Sequence, residues 1–296
     1  MRFARLLLVL FIYCTLAPPS LEAVHKFPKT KTKKYNLSVA AVFRNEAKYL
    51  KEWIEFHRLV GVDHFYLYNT GSTDRYMDAL KGYIKDGIVT LIQWPDFSKE
   101  KEEHWALGCQ VPAYENAIKW AAVNETKWLV FLDVDEFLFP IDGKDLTEVI
   151  EKYKQYPGVI LSHAFFDASR AHTLPKRNLV IEATEMRAPP PPNPVRTFEK
   201  MIFKPELCTY FTWPPYRFVF KDDQAPVKLS KWEGRINRYI DRNTPGLFDL
   251  RKLKTPLRID YRSAEQEVNE LLEVGYEVED HTIDRFVPIL RKKMGL

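Results

Sequence analysis

Glycine, cysteine and long apolar runs are all scarce in this chain, and each scarcity removes a class of protein. The 11 glycines among 296 residues never stand one residue apart, which excludes the G-x-G-x-x-G dinucleotide fingerprint, and no P-loop is written into the sequence either. Three cysteines, Cys14, Cys109 and Cys208, exclude a disulfide scaffold and offer no CxxC pair for zinc. Charge of one sign is lacking too: 44 Lys and Arg face 40 Asp and Glu, and the net +4 is spread out, so no nucleic-acid partner is expected. The one local basic run, Lys26 to Lys34, precedes the first strand-like segment. What is abundant is apolar matter, 46% of residues with 14% aromatic, enough to bury the core of one large domain or two modest ones.

The N-terminus has its own chemistry. Arg2 and Arg5 lead into an apolar run from Leu6 to Ala17, followed by Pro18, Pro19 and the small Ala23, where cleavage can occur. The run is shorter than the roughly 20 residues that a membrane span needs, so residues 1–23 are expected to be a secretory signal, with a short membrane anchor as the alternative. Tyr13 stands before Cys14 where a lipoprotein signal takes a small residue. Residues 24–36 read as a basic linker. In an oxidising compartment Cys109 and Cys208 either form one bridge or remain two buried thiols. Asn36 and Asn124 match the N-x-Ser/Thr sequon.

From Leu37 onward short β-branched or aromatic runs alternate with helical periods, which predicts an α/β fold with a mostly parallel central sheet flanked by helices. Strands are expected at Leu37 to Phe43, His64 to Tyr68, Val89 to Trp94, Trp128 to Leu132 and Val159 to Phe166. Leu50, Trp53, Ile54, His57 and Val60 mark one face of a helix that Gly61 closes, with His57 read as a core histidine. Further helices are expected at Tyr76 to Ile84, Gln110 to Ala122, Asp145 to Lys154 and Ser263 to Val274, a proline-stiffened loop at Pro189 to Pro194, and a hairpin-like region from Thr197 to Phe220.

The chemistry concentrates where the fourth strand ends, in Asp133-Val134-Asp135-Glu136. Ligands of open α/β sheets sit beyond the carboxyl ends of the strands. Alternate residues of an extended segment point the same way, so Asp133 and Asp135 can converge on one cation while Val134 faces the core. Oxygen ligands of this kind suit Mg²⁺ or Mn²⁺ bridging to a nucleotide's phosphates. The plainer reading makes them strand-end caps, with Glu136 simply solvated. A phosphatase of the haloacid-dehalogenase type would use Asp133 as nucleophile, but Phe137 stands where that chemistry needs a small or hydroxylated residue.

The stretch from Phe43 through Arg44, Asn45, Glu46, Glu52, Trp53 and His57 to Asn69, Ser72 and Asp74 closely resembles glycosyltransferase family 92. The likeness continues in Trp94-Pro95, in Gln110 with Tyr114 and Asn116, in Lys127 to Phe137, and more loosely through Phe165 to Ser169, Leu179 to Glu182 and Glu199 to Pro205, covering roughly residues 37–240. The resemblance implies a GT-A, Rossmann-like nucleotide-sugar-binding domain over residues 37–245 and a C-terminal helical extension over 246–296. It also implies a UDP-sugar donor, usually UDP-galactose, a divalent metal held by Asp133 and Asp135, a glycan or glycoconjugate acceptor, and inversion of the anomeric centre.

Mapped onto this sequence, the resemblance assigns Arg44, Asn45, Glu46, Asn69, Ser72, Asp74, Gln110, Asp133 and Arg238 to the donor and Asp135 to catalysis. Asn45, Ser72 and Asp74 equally suit caps and turns. An inverting transferase needs a base opposite the leaving group, for which Asp167, Glu182 and Asp222 are candidates, Asp167 being preferred because it opens the acceptor-side block. Three positions depart from the family pattern. Arg238 stands where a histidine is usual, Trp213 to Tyr216 replace a second histidine, and Asp167 replaces a glycine. A guanidinium cannot ligate a metal, but it can grip a diphosphate. A catalytically silent, carbohydrate- or nucleotide-binding relative is therefore the main rival. Lumenal action in the Golgi or endoplasmic reticulum is expected for a eukaryotic source, and an exported or anchored protein for a bacterial one.

Overall fold

The computed structural model describes residues 33–96, 106–143, 145–167, 179–182, 185–189, 199–212, 217–240 and 277–296. In chain order its strands are β1 (Tyr35–Phe43), β2 (His64–Asn69), β3 (Val89–Gln93), β4 (Thr126–Phe131), β5 (Glu136–Pro140), β6 (Gly158–Asp167), β7 (Met186–Arg187), β8 (Glu199–Phe203), β9 (Cys208–Thr212), β10 (Arg217–Phe220), β11 (Val227–Lys228), β12 (Gly234–Ile240) and β13 (Val278–Glu279). Its α-helices are α1 (Ala47–Leu59), α2 (Tyr76–Lys85), α3 (Val111–Trp120), α4 (Leu146–Glu151) and α5 (Val287–Met294).

β1 is buried from Leu37 to Phe43, the signature of a strand covered on both faces. It pairs in parallel with β2 on one side and β4 on the other, and β2 pairs in parallel with β3. The order across the sheet is β13-β7-β6-β8-β4-β1-β2-β3. β8 runs antiparallel to both β4 and β6, so β6 points the same way as the first four strands. β11 and β12 also run parallel to β6. The expected α/β architecture, a mostly parallel sheet flanked by helices, is what the chain forms.

α1 buries Leu50, Trp53, Ile54, Phe56 and His57 against the main core. It has no side-chain cap of its own; Asp74, from the loop after β2, accepts the Ala47 N–H at 2.8 Å instead. Two of its side chains cover the edge of β5. Trp53 Nε1 donates to the Glu136 carbonyl at 2.8 Å, and His57 Nε2 accepts the Leu138 N–H at 3.1 Å. The His57 ring therefore carries its proton on Nδ1, which donates to the Trp53 carbonyl at 2.8 Å. His57 is a core histidine that pins the strand leaving the acidic turn.

A second apolar cluster lies under α3 and the β9–β10 hairpin, where Tyr114 stacks on Phe131 and Phe211 packs with Phe218. The expected helix from Gln110 to Ala122 is α3 flanked by π-helical turns, Ala106–Gln110 and Ala121–Glu125. Strands β5 and β12 were not anticipated, and they matter most for the site. The last residues, expected within a helical extension, join the same core: Phe286 packs on Phe56 and Phe139, and Asp280 binds Arg235 through two bonds of 2.8 and 2.7 Å and Arg187 at 2.7 Å. Cys109 and Cys208 are both free thiols, so the bridge alternative falls. Among the described residues no helix is long and apolar enough to cross a membrane. The N-terminal run, residues 190–194, Trp213 to Tyr216 and the helix expected at Ser263 to Val274 lie outside the described residues.

Candidate active site

β4 delivers the chain to Leu132, and a tight turn reverses it into β5. The Glu136 N–H donates to the Asp133 carbonyl at 3.1 Å, while the Asp133 N–H donates to Glu136 Oε2 at 2.9 Å, so the turn closes around its own carboxylate. Asp133 and Asp135 thus converge through a reverse turn and not through an extended segment. Ligand oxygens of Asp133, Asp135 and Glu136 lie within 4.8 Å of one another.

Glu136 is fully buried, which corrects its reading as a solvated residue. A buried carboxylate survives as an ion only when paired. Lys200 Nζ lies 3.0 Å from Oε2, His163 Nε2 lies 3.0 Å from Oε1, and Arg238 Nη1 lies 3.5 Å from Oε1. Burial would raise the Glu136 pKa, but Lys200, His163 and Arg238 outweigh it and hold the carboxyl well below the usual range. Glu136 is therefore the anionic hub of the site. The sequence reading missed its partners Lys200 and His163; the available signal was a lone lysine in the apolar run Lys200 to Phe203 and a histidine inside the strand from Gly158 to Phe166.

Arg238 reaches this hub because β12 pairs antiparallel with β5 in a register that sets Arg238 opposite Glu136, on one face. Its Nε donates to Asp135 Oδ2 at 3.2 Å, and Nη2 lies 3.6 Å from Asp133 Oδ2. Burial lowers the Arg238 pKa, but Asp135, Glu136 and Asp133 more than compensate and raise it above its ordinary value. Asp135 responds in the other direction. Burial pushes its carboxyl up to about 6 despite the pull of Arg238, with Asp133 and Glu136 adding to the rise. Glu46, at the start of α1, is pushed up to about 8 by burial and then by Asp135, Asp74 and Asp133.

The two loops after β1 and β2 hold each other. Asn45, with a left-handed φ of 58°, accepts the Thr73 N–H at 2.8 Å and the Asp74 N–H at 3.3 Å. Ser72 Oγ accepts the Asn45 N–H at 3.0 Å. Asn69 Oδ1 accepts the Ser72 N–H at 3.0 Å, and its amide donates to Gln93 at 2.7 Å. Asn45, Asn69 and Ser72 therefore spend these polar atoms on building the loops. On four other residues one polar atom stays unspent: Arg44 Nε, Asp74 Oδ1, Gln110 Oε1 and Asp135 Oδ1 are buried without a hydrogen-bond partner, four of the seven such atoms among the described residues. Orphaned polar atoms are costly in a finished core and ordinary in a binding site awaiting its ligand.

Among the base candidates, Glu182 is engaged by Arg291 through bonds of 2.7 and 2.8 Å, and Asp222 sits in an exposed turn at φ 55°. Asp167 ends β6 on the face shared by His163 and Phe165, and Phe165 is the register partner of Arg238. The donor set fits a hard divalent cation. All the candidate ligand atoms are oxygens, Asp135 Oδ1 is buried and unpartnered, and the three carboxylates outnumber the cations Arg238 and Lys200. Asp135 and Asp133 are the residues that would hold it, since Glu136 has both oxygens engaged.

The fold is thus an α/β sheet with an acidic turn where β4 ends, beside which Asp135 Oδ1 is buried and unpartnered. The family model for glycosyltransferase family 92 matches residues 33–265, and the chain belongs to that family. A family-92 protein of rice, Oryza sativa subsp. japonica, is 27% identical over 215 residues, which cover 71% of this chain and 34% of the relative. A galactan β-1,4-galactosyltransferase of Arabidopsis thaliana is 30% identical over 140 residues, 43% of this chain and 25% of that protein. Among solved structures, S. aureus TarS aligns with a TM-score of 0.43 at 15% identity, covering 80% of this chain and 43% of TarS. The chain spans about a third of the length of the rice relative.

Proposed function

We propose that this chain transfers a hexose, galactose being the best candidate, from a UDP-sugar to a glycan or glycoconjugate acceptor with inversion at the anomeric carbon. The observation that carries the reading is the set of orphaned polar atoms on Arg44, Asp74, Gln110 and Asp135, residues that follow β1, β2 and β4 and precede α3. Family membership supports the transferase chemistry, and the partial likeness to a galactan galactosyltransferase supports galactose.

In this reading Arg44, Asp74 and Gln110 bind the nucleoside, while Asn45, Asn69 and Ser72 hold the loops in place around it. Asp135 and Asp133 would hold Mn²⁺ or Mg²⁺, which supplies charge neutralisation at the departing diphosphate. Arg238, at the same turn, faces the same negative charge from the protein side. Asp167 is the proposed base, accepting the acceptor hydroxyl's proton from the acceptor side of the sheet. The N-terminal apolar run supports action in the lumen of the secretory pathway.

The test is calorimetric titration of the protein with UDP, beside its Asp135→Ala and Gln110→Ala variants, followed by a screen of UDP-sugars for UDP release with and without glycan acceptors. Binding that Asp135→Ala weakens at least about tenfold, with release stimulated by acceptor, supports the reading. UDP binding without any turnover favours the silent relative, and absence of UDP binding refutes the donor site.

A further inference from the structure

The Asp133–Asp135 pair already has a cationic partner. Arg238 donates through Nε to Asp135 Oδ2 at 3.2 Å and lies 3.6 Å from Asp133 Oδ2 and 3.5 Å from Glu136 Oε1. Its backbone is fixed on both sides, since β12 lies between β5 and β6, and the neighbouring Tyr239 N–H donates to the Asp135 carbonyl at 3.0 Å. Lys200 lies deeper, 6% exposed, against Glu136, whereas about a quarter of the Arg238 side chain reaches solvent. Asp135, 38% exposed, is the member of the pair most open to solvent, and Arg238 already holds its Oδ2.

Charge counting gives the consequence. Asp133, Asp135 and Glu136 against Arg238 and Lys200 leave one net negative charge, and a divalent cation would turn that into one positive charge. Without Arg238 the same three carboxylates face Lys200 alone, and a divalent cation cancels the remaining two charges. Only the Nε contact is within hydrogen-bond distance; the Nη groups sit at ion-pair distance and can turn toward two phosphate oxygens in parallel.

We propose that Arg238 is a resident counter-ion of Asp133 and Asp135 that competes with divalent cations for them, and that it lets this chain hold a nucleoside diphosphate without a metal. The second half rests on the donor reading above; the first half does not.

The experiment titrates Mn²⁺ alone into the whole protein and its Arg238→Gln variant, reading free Mn²⁺ by electron paramagnetic resonance, and then titrates UDP calorimetrically in EDTA and in excess Mn²⁺. Arg238→Gln is expected to bind Mn²⁺ at least about tenfold more tightly than the unmodified protein, the scale of one partly buried charge pair. In EDTA the unmodified protein should bind UDP and Arg238→Gln should not, with Mn²⁺ restoring binding to the variant. Circular dichroism and thermal melts check folding, and Arg238→Met, uncharged and of similar length, replaces Arg238→Gln if the latter does not fold. Mn²⁺ affinities equal within about threefold, or tighter in the unmodified protein, overturn the counter-ion role. UDP binding by the unmodified protein only with Mn²⁺ overturns the metal-free half. If UDP binds no variant under any condition, the donor reading fails while the Mn²⁺ titration still decides the role of Arg238.

Discussion

Two buried groups of α1, beside the acidic turn, have pKa values shifted in opposite directions, and their difference can be measured. Burial lowers the pKa of His57 from 6.5 to about 4, against the pull of the Trp53 carbonyl and Glu136. Between those values the unfolded chain binds a proton that the native one does not, so the His57 contribution is complete above pH 6.5 and is lost as pH falls toward 4. Burial raises Glu52 from 4.5 to about 7, although the Val180 and Ile181 N–H groups bound to it oppose the rise. Here the native state binds the extra proton, so the contribution is complete below pH 4.5 and is lost as pH rises toward 7. Each shift corresponds to about 3 kcal/mol over its whole range, and about 2 kcal/mol falls between pH 4.5 and 6.5. In the intact protein the two slopes nearly cancel there. Urea denaturation followed by tryptophan fluorescence at half-unit pH steps should separate them. Relative to the unmodified protein, Glu52→Gln should gain about 2 kcal/mol as pH rises through this window and His57→Gln should lose about 2 kcal/mol, while the double variant runs parallel. Difference curves flat to within about 0.5 kcal/mol, or of the same sign, would refute the assignment of both groups.

Three further outcomes are expected. Gly61→Ala should cost about 3 kcal/mol, because φ is +101° and a Cβ would stand 2.2 Å from Asp145 Oδ1, the atom that caps α4 through the Thr147 N–H; a melt showing under about 1 kcal/mol would contradict this. Asp280→Ala should cost about 3 kcal/mol by stranding Arg235 and Arg187, and hydrogen exchange should speed up in residues 277–296 before the central strands respond. Trp53→Phe removes the bond to the buried Glu136 carbonyl and should cost about 2 kcal/mol, with UDP affinity falling alongside stability in parallel calorimetry as the acidic turn loosens.

The first four strands were legible because parallel strands buried on both faces write themselves as apolar runs, as in Leu37 to Phe43 and Trp128 to Leu132, separated by helical periods. The acidic turn was legible for a related reason: polar residues that break such a run at its carboxyl end fall where a parallel sheet opens to ligands. The loops Phe43 to Glu46 and Asn69 to Asp74 were recognisable as a pair, yet which of their polar atoms are spent on each other and which remain unpaired depends on how the two meet in space.

Glu136, Lys200, His163 and Arg238 come from four strands separated by up to about a hundred positions, and no local period links them. β12 is seven residues long with charged residues at Arg235 and Arg238, so its sequence does not read as a buried strand; its register between β5 and β6 alone sets Arg238 opposite Glu136. Composition and periodicity thus determined the layers of this protein and where its cleft opens, since those follow from local backbone preference and apolar burial. Which charges neutralise the cleft was decided only by tertiary pairing, because Coulombic partners are chosen by distance in space, and the chain carries no record of that distance until the sheet closes.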